Sequence, residues 1–292
     1  MNAVLQIVKN SFSCAKTEYV KWLISTRMII MPVIVIFIQS FALDPLLKNA
    51  ELMNDKLNIL EPFIAVANSS TLILILPLAF LTMIADFPKI DTSTVFSIVR
   101  TGRYSWLTGQ IIKLLLMALT FLFVILAGSV IPMLPRGIIG TQWSRTVTDF
   151  LKMFPERTGN FGASLLPQNL YNQMSLPAAA VKSYLLVFAY LMILGLILLS
   201  FSLIKKKTLG FVLCGAVISL GTAFYSIKSI LMWAMPMANS IVWLHFTRYF
   251  DQPIVSMDFS VIYLTAAIAI LTAFCYVSIG DFNYDNVSEI TV

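Results

Sequence analysis

Residues 86–113 read DFPKIDTSTVFSIVRTGRYSWLTGQIIK and form a short polar island on which the rest of the chain is organised. The island carries four basic residues and separates two runs without Asp, Glu, Lys or Arg, residues 62–85 and 114–135. Each run exceeds the roughly 18–20 residues that a helix needs to cross a hydrocarbon core of about 30 Å. The sequence therefore predicts two membrane-spanning helices joined by the island. Because short loops rich in Lys and Arg stay in the cytoplasm, we expect the island to be cytoplasmic.

The composition agrees with a membrane protein. Of the 292 residues, 59% are hydrophobic and 12% are charged. With a mean hydropathy of +0.86, the chain has too little polar surface to cover a soluble globule of its size. The net charge of +6 does not indicate a nucleic-acid partner, because the basic residues cluster beside apolar runs, where they anchor the topology.

The apolar segments predict an all-α integral membrane protein, a single transmembrane domain over residues 1–292. Its six predicted spans are 28–43 (lengthened by 23–27), 62–85, 114–135, 183–204, 208–227 and 259–280. The lysine hairpin 205–207 indicates a cytoplasmic turn, whereas the acidic connector 44–61 suits the outside. Alternation of sides then makes residues 136–182 a large extracellular loop and places both termini in the cytoplasm.

The first 22 residues predict an amphipathic elbow helix. Apolar side chains recur at steps of three and four, with lysines on the other side. The apolar positions are Leu5, Val8, Phe12, Tyr19 and Trp22. We expect this helix to lie flat on the cytoplasmic interface, and an ordinary packed helix end is the alternative. No removable signal peptide is indicated.

A second departure from plain spans is expected within the extracellular segment 228–258. Residues 229–247 carry no Lys, Arg, Asp or Glu, but Pro236, Asn239 and His245 interrupt them. Such a broken apolar stretch predicts a re-entrant hairpin or a pair of interfacial helices. If it crossed fully, the C-terminal tail would lie outside. His245 is interpreted as an interfacial hydrogen-bonding residue rather than a catalyst.

Two small or polar groups mark places where helices could meet or a pathway could run. Asn68 and Ser69 begin a polar cluster inside the second predicted span, and interhelical hydrogen bonding is the commoner explanation. Gly215 and Ser219 belong to a small-residue stripe in the fifth span, which lets another helix approach closely.

The sequence offers no constellation for catalysis. With these boundaries no charged residue falls inside a span core, so the chain lacks the intramembrane carboxylates that usually mark the pathway of ion-coupled carriers. Three scattered cysteines and one histidine do not indicate disulfides or a metal site. Neither nucleotide-binding glycine motif is present. We expect a non-enzymatic chain without a cofactor of its own.

The island itself predicts a short cytoplasmic helix. Asp91 and the following Thr-Ser-Thr are a good start, and Gly102 is a plausible stop. Val95, Ile98 and Val99 would give it an apolar face. A helix this short needs a surface to pack on, which could be a partner protein, the membrane or its own bundle.

The order of elbow helix, six spans, first cytoplasmic loop and broken segment resembles the membrane-spanning subunit of type-2 ABC exporters. The loop over residues 86–106 carries the shared motif, an Arg followed by Trp or Leu and a Gly-Lys. The matching residues are Arg100, Arg103, Trp106, Leu107 and Gly109. Gln110 stands where the family has Lys, with Lys113 one turn later.

The resemblance implies a permease in a bacterial cell membrane, exporting a hydrophobic or amphipathic cargo such as a peptide, a lipid-like or a drug-like molecule. It implies two separate cytoplasmic ATPase subunits, which would hold ATP and Mg²⁺, and a second permease copy or related chain, all among membrane lipids. The residues it implies for ATPase coupling are Asp91, Val95, Phe96, Ile98, Val99, Arg100 and Arg103.

Two other classes of function stay open. One is a carrier or channel that works without ATP. The other is a non-transporting membrane sensor or immunity scaffold, in which residues 136–182 would bind a ligand.

Overall fold

The structure, a computed structural model, describes residues 2–89, 92–246 and 254–281, without the side chains of residues 2–7, 92, 93, 95 and 281. Over these ranges the chain is helical and contains no strand beyond an isolated bridge between Asn58 and Ile138. Five of the described helices are long and apolar enough to cross a membrane, or six if one bent pair counts as a span. These helices fit the membrane-embedded protein that the composition predicts.

The N-terminal helix α1 (Asn2–Leu23) leads directly into the first candidate span, Thr26–Met53. This span contains a 3₁₀ turn (Thr26–Ile29), α2 (Ile30–Ile38), a π-helical turn (Gln39–Leu43) and α3 (Asp44–Met53). The predicted end at Leu43 is therefore wrong by ten residues. A π turn just before Pro45 absorbs the missing N–H of the proline, so the helix continues.

The predicted second span over residues 62–85 is not one straight helix. It is divided into α4 (Glu61–Asn68) and α5 (Leu72–Met83), which meet at an angle of 81°. The break falls on the polar cluster, where Ser69 has an extended conformation with ψ 127°. The Asn68 Nδ2 donates to the Ile64 carbonyl, a local bond that competes with helix continuation.

After the polar island the chain forms α6 (Thr92–Thr101) and α7 (Arg103–Val130), which a 3₁₀ turn extends to Met133. The predicted third span begins at Leu114, but α7 begins eleven residues earlier, at Arg103. Most of the second half of the island is thus the start of a spanning helix. The charged positions misled the prediction because distant parts of the chain pack against this end of α7.

Four short helices lie between α7 and the next long helix. They are α8 (Arg145–Thr148), α9 (Phe150–Met153), α10 (Phe161–Ser164) and α11 (Gln168–Gln173), with a 3₁₀ turn at Pro155–Arg157. The long helix α12 (Leu176–Leu203) then begins six residues before the predicted end of the loop at 182. Ser175, followed by Pro177 in the first turn, makes a favourable helix start.

Helix α12 is the centre of the bundle, since 78% of its most apolar stretch is buried inside the chain. It turns through the lysine hairpin into α13 (Lys207–Ser226), and the Cys214 Sγ donates back to the Leu194 carbonyl. Gly195 lets α7 approach closely, because a Cβ there would lie 2.9 Å from the Cγ of Leu114.

The segment before the last span is broken, as its sequence indicates. Its described part consists of 3₁₀ turns at Ile230–Ala234 and Val242–His245 and the short helix α14 (Pro236–Ser240) between them. The chain then forms α15 (Met257–Ser278), which ends in a 3₁₀ turn at Ile279–Asp281.

Contacts between distant segments define two ends of the bundle. At the basic end, the Arg103 Nη1 at the start of α7 donates to the Gly280 carbonyl after α15 (3.0 Å). Lys207, at the start of α13, interacts electrostatically with Asp86 and Arg27 at this same end. At the opposite loop end, the residues between α7 and α12 pack on the start of α4 and on the broken segment.

Candidate functional site

Helix α6 is the central element of the candidate coupling site. Its first turn is held by the Thr94 Oγ1, which donates to the Lys89 carbonyl (2.9 Å). Gly102 ends the helix with φ 85°, a conformation that glycine adopts without steric cost, and its N–H donates to the Ile98 carbonyl (2.8 Å). The stop predicted at Gly102 is therefore present. The predicted start, Asp91, lies outside the described residues.

The two sides of α6 face different surroundings. Ile98 is 1% exposed and packs into the chain's own core, whereas Phe96 and Val99 are 76% and 71% exposed. Arg100 is also exposed. Of the predicted apolar face of Val95, Ile98 and Val99, Ile98 packs on the chain's own bundle, whereas Val99, about 100° further round the helix, is exposed. The Val95 side chain lies outside the described residues.

Helix α6 is attached to the bundle on its inner side. The Cys14 Sγ of α1 lies 3.8 Å from the Ser97 Oγ of α6. Burial raises the pKa of the Cys14 thiol, so that it stays protonated and serves as a packing group. Gly109 of α7 allows α1 to approach α7 closely, because a Cβ there would lie 3.0 Å from the Ser11 carbonyl oxygen.

Arg103 and the first turns of α7 point towards the end of α15. Besides the Arg103 bond to Gly280, Tyr104 stacks on Tyr276 with ring centroids 6.5 Å apart. The Thr108 Oγ1 and the Tyr276 hydroxyl form a hydrogen bond of 2.8 Å. Arg103, predicted as a coupling residue, thus joins α7 to α15 instead of extending the exposed face of α6.

The predicted elbow helix runs along α7 with a stripe that differs from the expected one. The packed positions include Ser11, Cys14, Ala15 and Trp22, and the Trp22 Nε1 donates to the Met83 carbonyl (3.3 Å). Two predicted apolar positions, Val8 and Phe12, are exposed beside this stripe, and Tyr19 is half-buried. The Leu5 side chain lies outside the described residues.

An ion pair joins α1 to α7, one residue before the predicted start of the third span. Lys113 is the eleventh residue of α7, which places it about 15 Å along the helix axis. Its Nζ lies 3.4 Å from the Glu18 Oε2, and only 6% of the Lys113 side chain is exposed. The Glu18 Oε1 also binds Lys21 (3.0 Å). The polar island and the long apolar helix α7 therefore overlap in sequence.

Asn68 connects three elements. Its Nδ2 donates to the Ser183 Oγ of α12 (2.7 Å), and its Oδ1 accepts the Val242 N–H of the broken segment (2.8 Å). The Trp243 Nε1 donates to the Asn68 carbonyl (2.8 Å), which the bend leaves free. These contacts support the interpretation as interhelical hydrogen bonding. Neighbouring Ser69 is buried at the bend.

The small-residue stripe of α13 faces away from the rest of the chain. A Cβ added at Gly215 would meet nothing within 4 Å, and Ser219 is exposed. The glycines of α13 that pack within the chain are Gly210, against Phe201, and Gly221, against Met237. The predicted stripe thus does no packing among the described residues.

At the loop end the structure reveals a buried carboxylate that sequence reasoning did not select. Glu61 is fully buried, and its carboxylate accepts the Ser144 N–H (2.7 Å), the Ser144 hydroxyl (2.9 Å) and the Asn58 N–H (2.9 Å). The signal was a lone Glu at the boundary of an apolar run, followed directly by Pro62 at the helix start. Glu61 fixes the loop to the start of α4.

The broken segment is held by its own polar residues. The Asn239 Nδ2 donates to the carbonyls of Trp233 and Met235, both at 2.8 Å, and the Ser260 hydroxyl donates to its Oδ1 (2.6 Å). The His245 Nδ1 donates to the Val255 carbonyl (2.9 Å). These bonds replace the helix ladder that the interruptions remove. His245 thus contributes a hydrogen bond that holds the broken segment.

Among the described residues no group of three or more His, Cys, Asp or Glu side chains could hold a metal ion. The described residues present exposed apolar side chains on α6 and buried polar junctions between helices. No family model, no curated protein and no solved structure matches the chain.

Proposed function

We propose that this chain is the permease subunit of an ATP-driven exporter and that α6 receives its ATPase partner. The observation that carries the proposal is the two-sided character of α6. Phe96 and Val99 are presented outwards beside Arg100, whereas Ile98 anchors the helix. A short helix that offers apolar side chains on an otherwise polar loop has the form of a docking element.

Burial of the Phe96 and Val99 side chains would contribute to the binding free energy of such a contact. Removing a Phe or Val side chain from water contributes about 1.5–3 kcal/mol, so Phe96 and Val99 together supply about 3–6 kcal/mol before ordering costs. Arg100 beside them can pair with a carboxylate of the partner. With two ATPase subunits on a permease pair, this contact would be made twice.

The attachments of α6 support transmission of a movement into the bundle. A push on α6 reaches α1 through the contact between Cys14 and Ser97. It reaches α15 through α7 and Arg103. ATP binding to the partner then shifts the bundle between two arrangements, provided that the partner contacts α6 differently in each. The hydrolytic chemistry, with ATP and Mg²⁺, belongs to the partner.

The outer surfaces of the bundle suit a second permease copy and a hydrophobic or amphipathic cargo. In the apolar stretches of α13 and α15 only 22% and 17% of residues are buried within the chain. The open stripe at Gly215 and Ser219 lies on α13 and would allow close approach of another helix. The Lys and Arg residues of the basic end favour a cytoplasmic position for it, with both termini on that side.

The test is purification of the tagged chain from its native membrane in a mild detergent, followed by mass spectrometry and an ATPase assay. The double variant Phe96→Asp/Val99→Asp should lose the ATPase subunit and the ATP hydrolysis that accompany the unchanged chain. A matched control is Ile139→Asp, an equally exposed apolar residue at the loop end (77% exposed). It should retain both.

Two outcomes would refute the proposal. One is a purified complex with no ATP-hydrolysing subunit whose transport in liposomes needs no ATP. The other is unchanged ATPase binding in the double variant. Normal yield and thermal stability of the double variant would confirm that the loss is local to α6.

A further inference from the structure

A cavity of ≈240 Å³ lies at the basic end, where α1 turns into the first span. Its walls come from the end of α1, the start of the first span, the residues after α5 and the first half of α7. Small-molecule sites usually begin at about 300 Å³, so the cavity suits the headgroup of a ligand rather than a whole drug-sized molecule.

The cavity carries an excess of positive charge. Four cations and two carboxylates line it, namely Lys21, Arg27, Lys89 and Lys113 with Glu18 and Asp86. This leaves two positive charges uncompensated by the lining carboxylates. Lys207 adds to the same field, since it interacts electrostatically with Asp86 and Arg27. An anion in the cavity would therefore be strongly favoured.

Two buried donors of this wall have no partner in the described part of the chain. The Arg27 Nη2 binds the Asp86 Oδ2 (2.7 Å), but its Nη1 is buried without a hydrogen bond. The Ser25 Oγ, two residues away, is also buried and unpartnered. Because a buried donor without a partner has lost its solvation, a bound acceptor would be favoured at this place. Phosphate oxygens accept from both groups in this way.

Apolar side chains complete the wall of the cavity and lie beside it. Trp22, Phe87 and Met117 contribute to its wall. Near Ser25 and Arg27, Ile24 and Ile29 are 79% and 70% exposed. Exposed apolar side chains of this kind suit contact with the hydrocarbon chains of a lipid. A free inorganic anion has no apolar part that could make this contact.

We propose that this cavity binds the phosphate headgroup of an anionic phospholipid, with the acyl chains lying along Ile24 and Ile29. Basic pockets between helices at a membrane surface are suited to such headgroups. A bound lipid would bridge α1, the first span and α7, and so stabilise the junction to which α6 is attached. The proposal does not depend on an ATPase partner.

The test uses the full chain purified in a neutral detergent. Three additives are compared by the shift of the thermal unfolding midpoint: dioctanoyl phosphatidylglycerol, dioctanoyl phosphatidylcholine and inorganic phosphate. We expect a saturable rise of the midpoint with phosphatidylglycerol alone, because only this additive combines a net negative headgroup with an apolar tail.

Charge variants locate the site. Lys89→Gln and Arg27→Gln should each weaken the apparent affinity for phosphatidylglycerol by about fivefold, the effect of one basic residue near an anionic headgroup. Lys206→Gln is the matched control, an exposed lysine at the same end but outside the cavity, and should leave the affinity unchanged. Lys89 is exposed, so its variant reports on binding even if Arg27→Gln lowers the stability of the chain.

Three results would overturn the proposal. Equal shifts of the unfolding midpoint with phosphatidylcholine would show that binding does not depend on the net charge of the headgroup. A saturating shift with inorganic phosphate would show a soluble anion site instead of a lipid site. An equal loss of affinity in Lys206→Gln and Lys89→Gln would show diffuse surface attraction.

Discussion

Replacement of Asn68 by Ala tests whether the bend of the second span is held by hydrogen bonds. The substitution removes the donor to the Ser183 Oγ and the acceptor of the Val242 N–H. The backbone bond from the Trp243 Nε1 to the Asn68 carbonyl is retained. Asn68 is fully buried, so water cannot take the place of the lost groups.

The expected loss of stability follows from these two contacts. Side-chain hydrogen bonds between membrane helices contribute about 0.6 kcal/mol each, so two contribute about 1.2 kcal/mol. The stranded Val242 N–H adds about 1–3 kcal/mol, because a buried donor without a partner has lost its solvation. Asn68→Ala should therefore lower the free energy of unfolding by about 2–4 kcal/mol.

The assay is reversible unfolding in mixed micelles with increasing dodecyl sulfate, followed by tryptophan fluorescence. Ser183→Ala should cost only about 0.6 kcal/mol, because it removes one bond and strands no backbone group. Ser70→Ala, in the same polar cluster but without a side-chain contact of this kind, should stay within about 0.5 kcal/mol of the unchanged chain. The reasoning is refuted if Asn68→Ala is as stable as Ser70→Ala, or if Ser183→Ala costs as much as Asn68→Ala.

Two further predictions concern buried ionisable groups. Glu18→Gln leaves the Lys113 ammonium buried without a carboxylate and should lower the free energy of unfolding by about 3 kcal/mol in the same assay. Adding Lys113→Met to this variant should recover more than half of the lost stability. No recovery in the double variant would show that the pair contributes nothing. Burial lowers the pKa of His245, so below about pH 6.5 the unfolded chain binds a proton that the folded chain resists, and stability falls by at most about 1.4 kcal/mol per pH unit. The thermal midpoint should therefore drop on acidification in the unchanged chain and drop less in His245→Gln; parallel pH profiles would contradict a buried neutral imidazole.

Much of the architecture could be predicted from composition and spacing, because hydrocarbon thickness and helix rise set the number of apolar residues in a span. The long helices α12, α13 and α15 lie where apolar runs predict them. The interruption of residues 229–247 was also readable, since proline and polar residues disrupt a helix wherever it packs. Helix ends were less readable, because α3 and α7 extend through charged positions.

At the candidate coupling site, the rotation of helix α6 about its own axis could not be predicted from the sequence. The glycine at position 102 predicted the end of α6, which is a local property of the backbone. Periodicity did not predict that Ile98 faces the core while Phe96 and Val99 face outwards, because a short helix with apolar residues on several sides can be rotated either way. Packing against α1 decides the rotation.

The sequence by itself determined that the chain is helical and membrane-embedded, and that its polar island contains a short helix ending at a glycine. Those properties follow from hydrophobicity and backbone geometry, which act locally. Only the tertiary structure decided that Lys113 is paired with Glu18 inside the bundle, that Asn68 fastens a sharp bend and that Glu61 is buried. The partners are far apart in sequence: 83 residues for Glu61 and Ser144, 95 for Glu18 and Lys113, and 174 for Asn68 and Val242. No local sequence pattern encodes contacts over such separations.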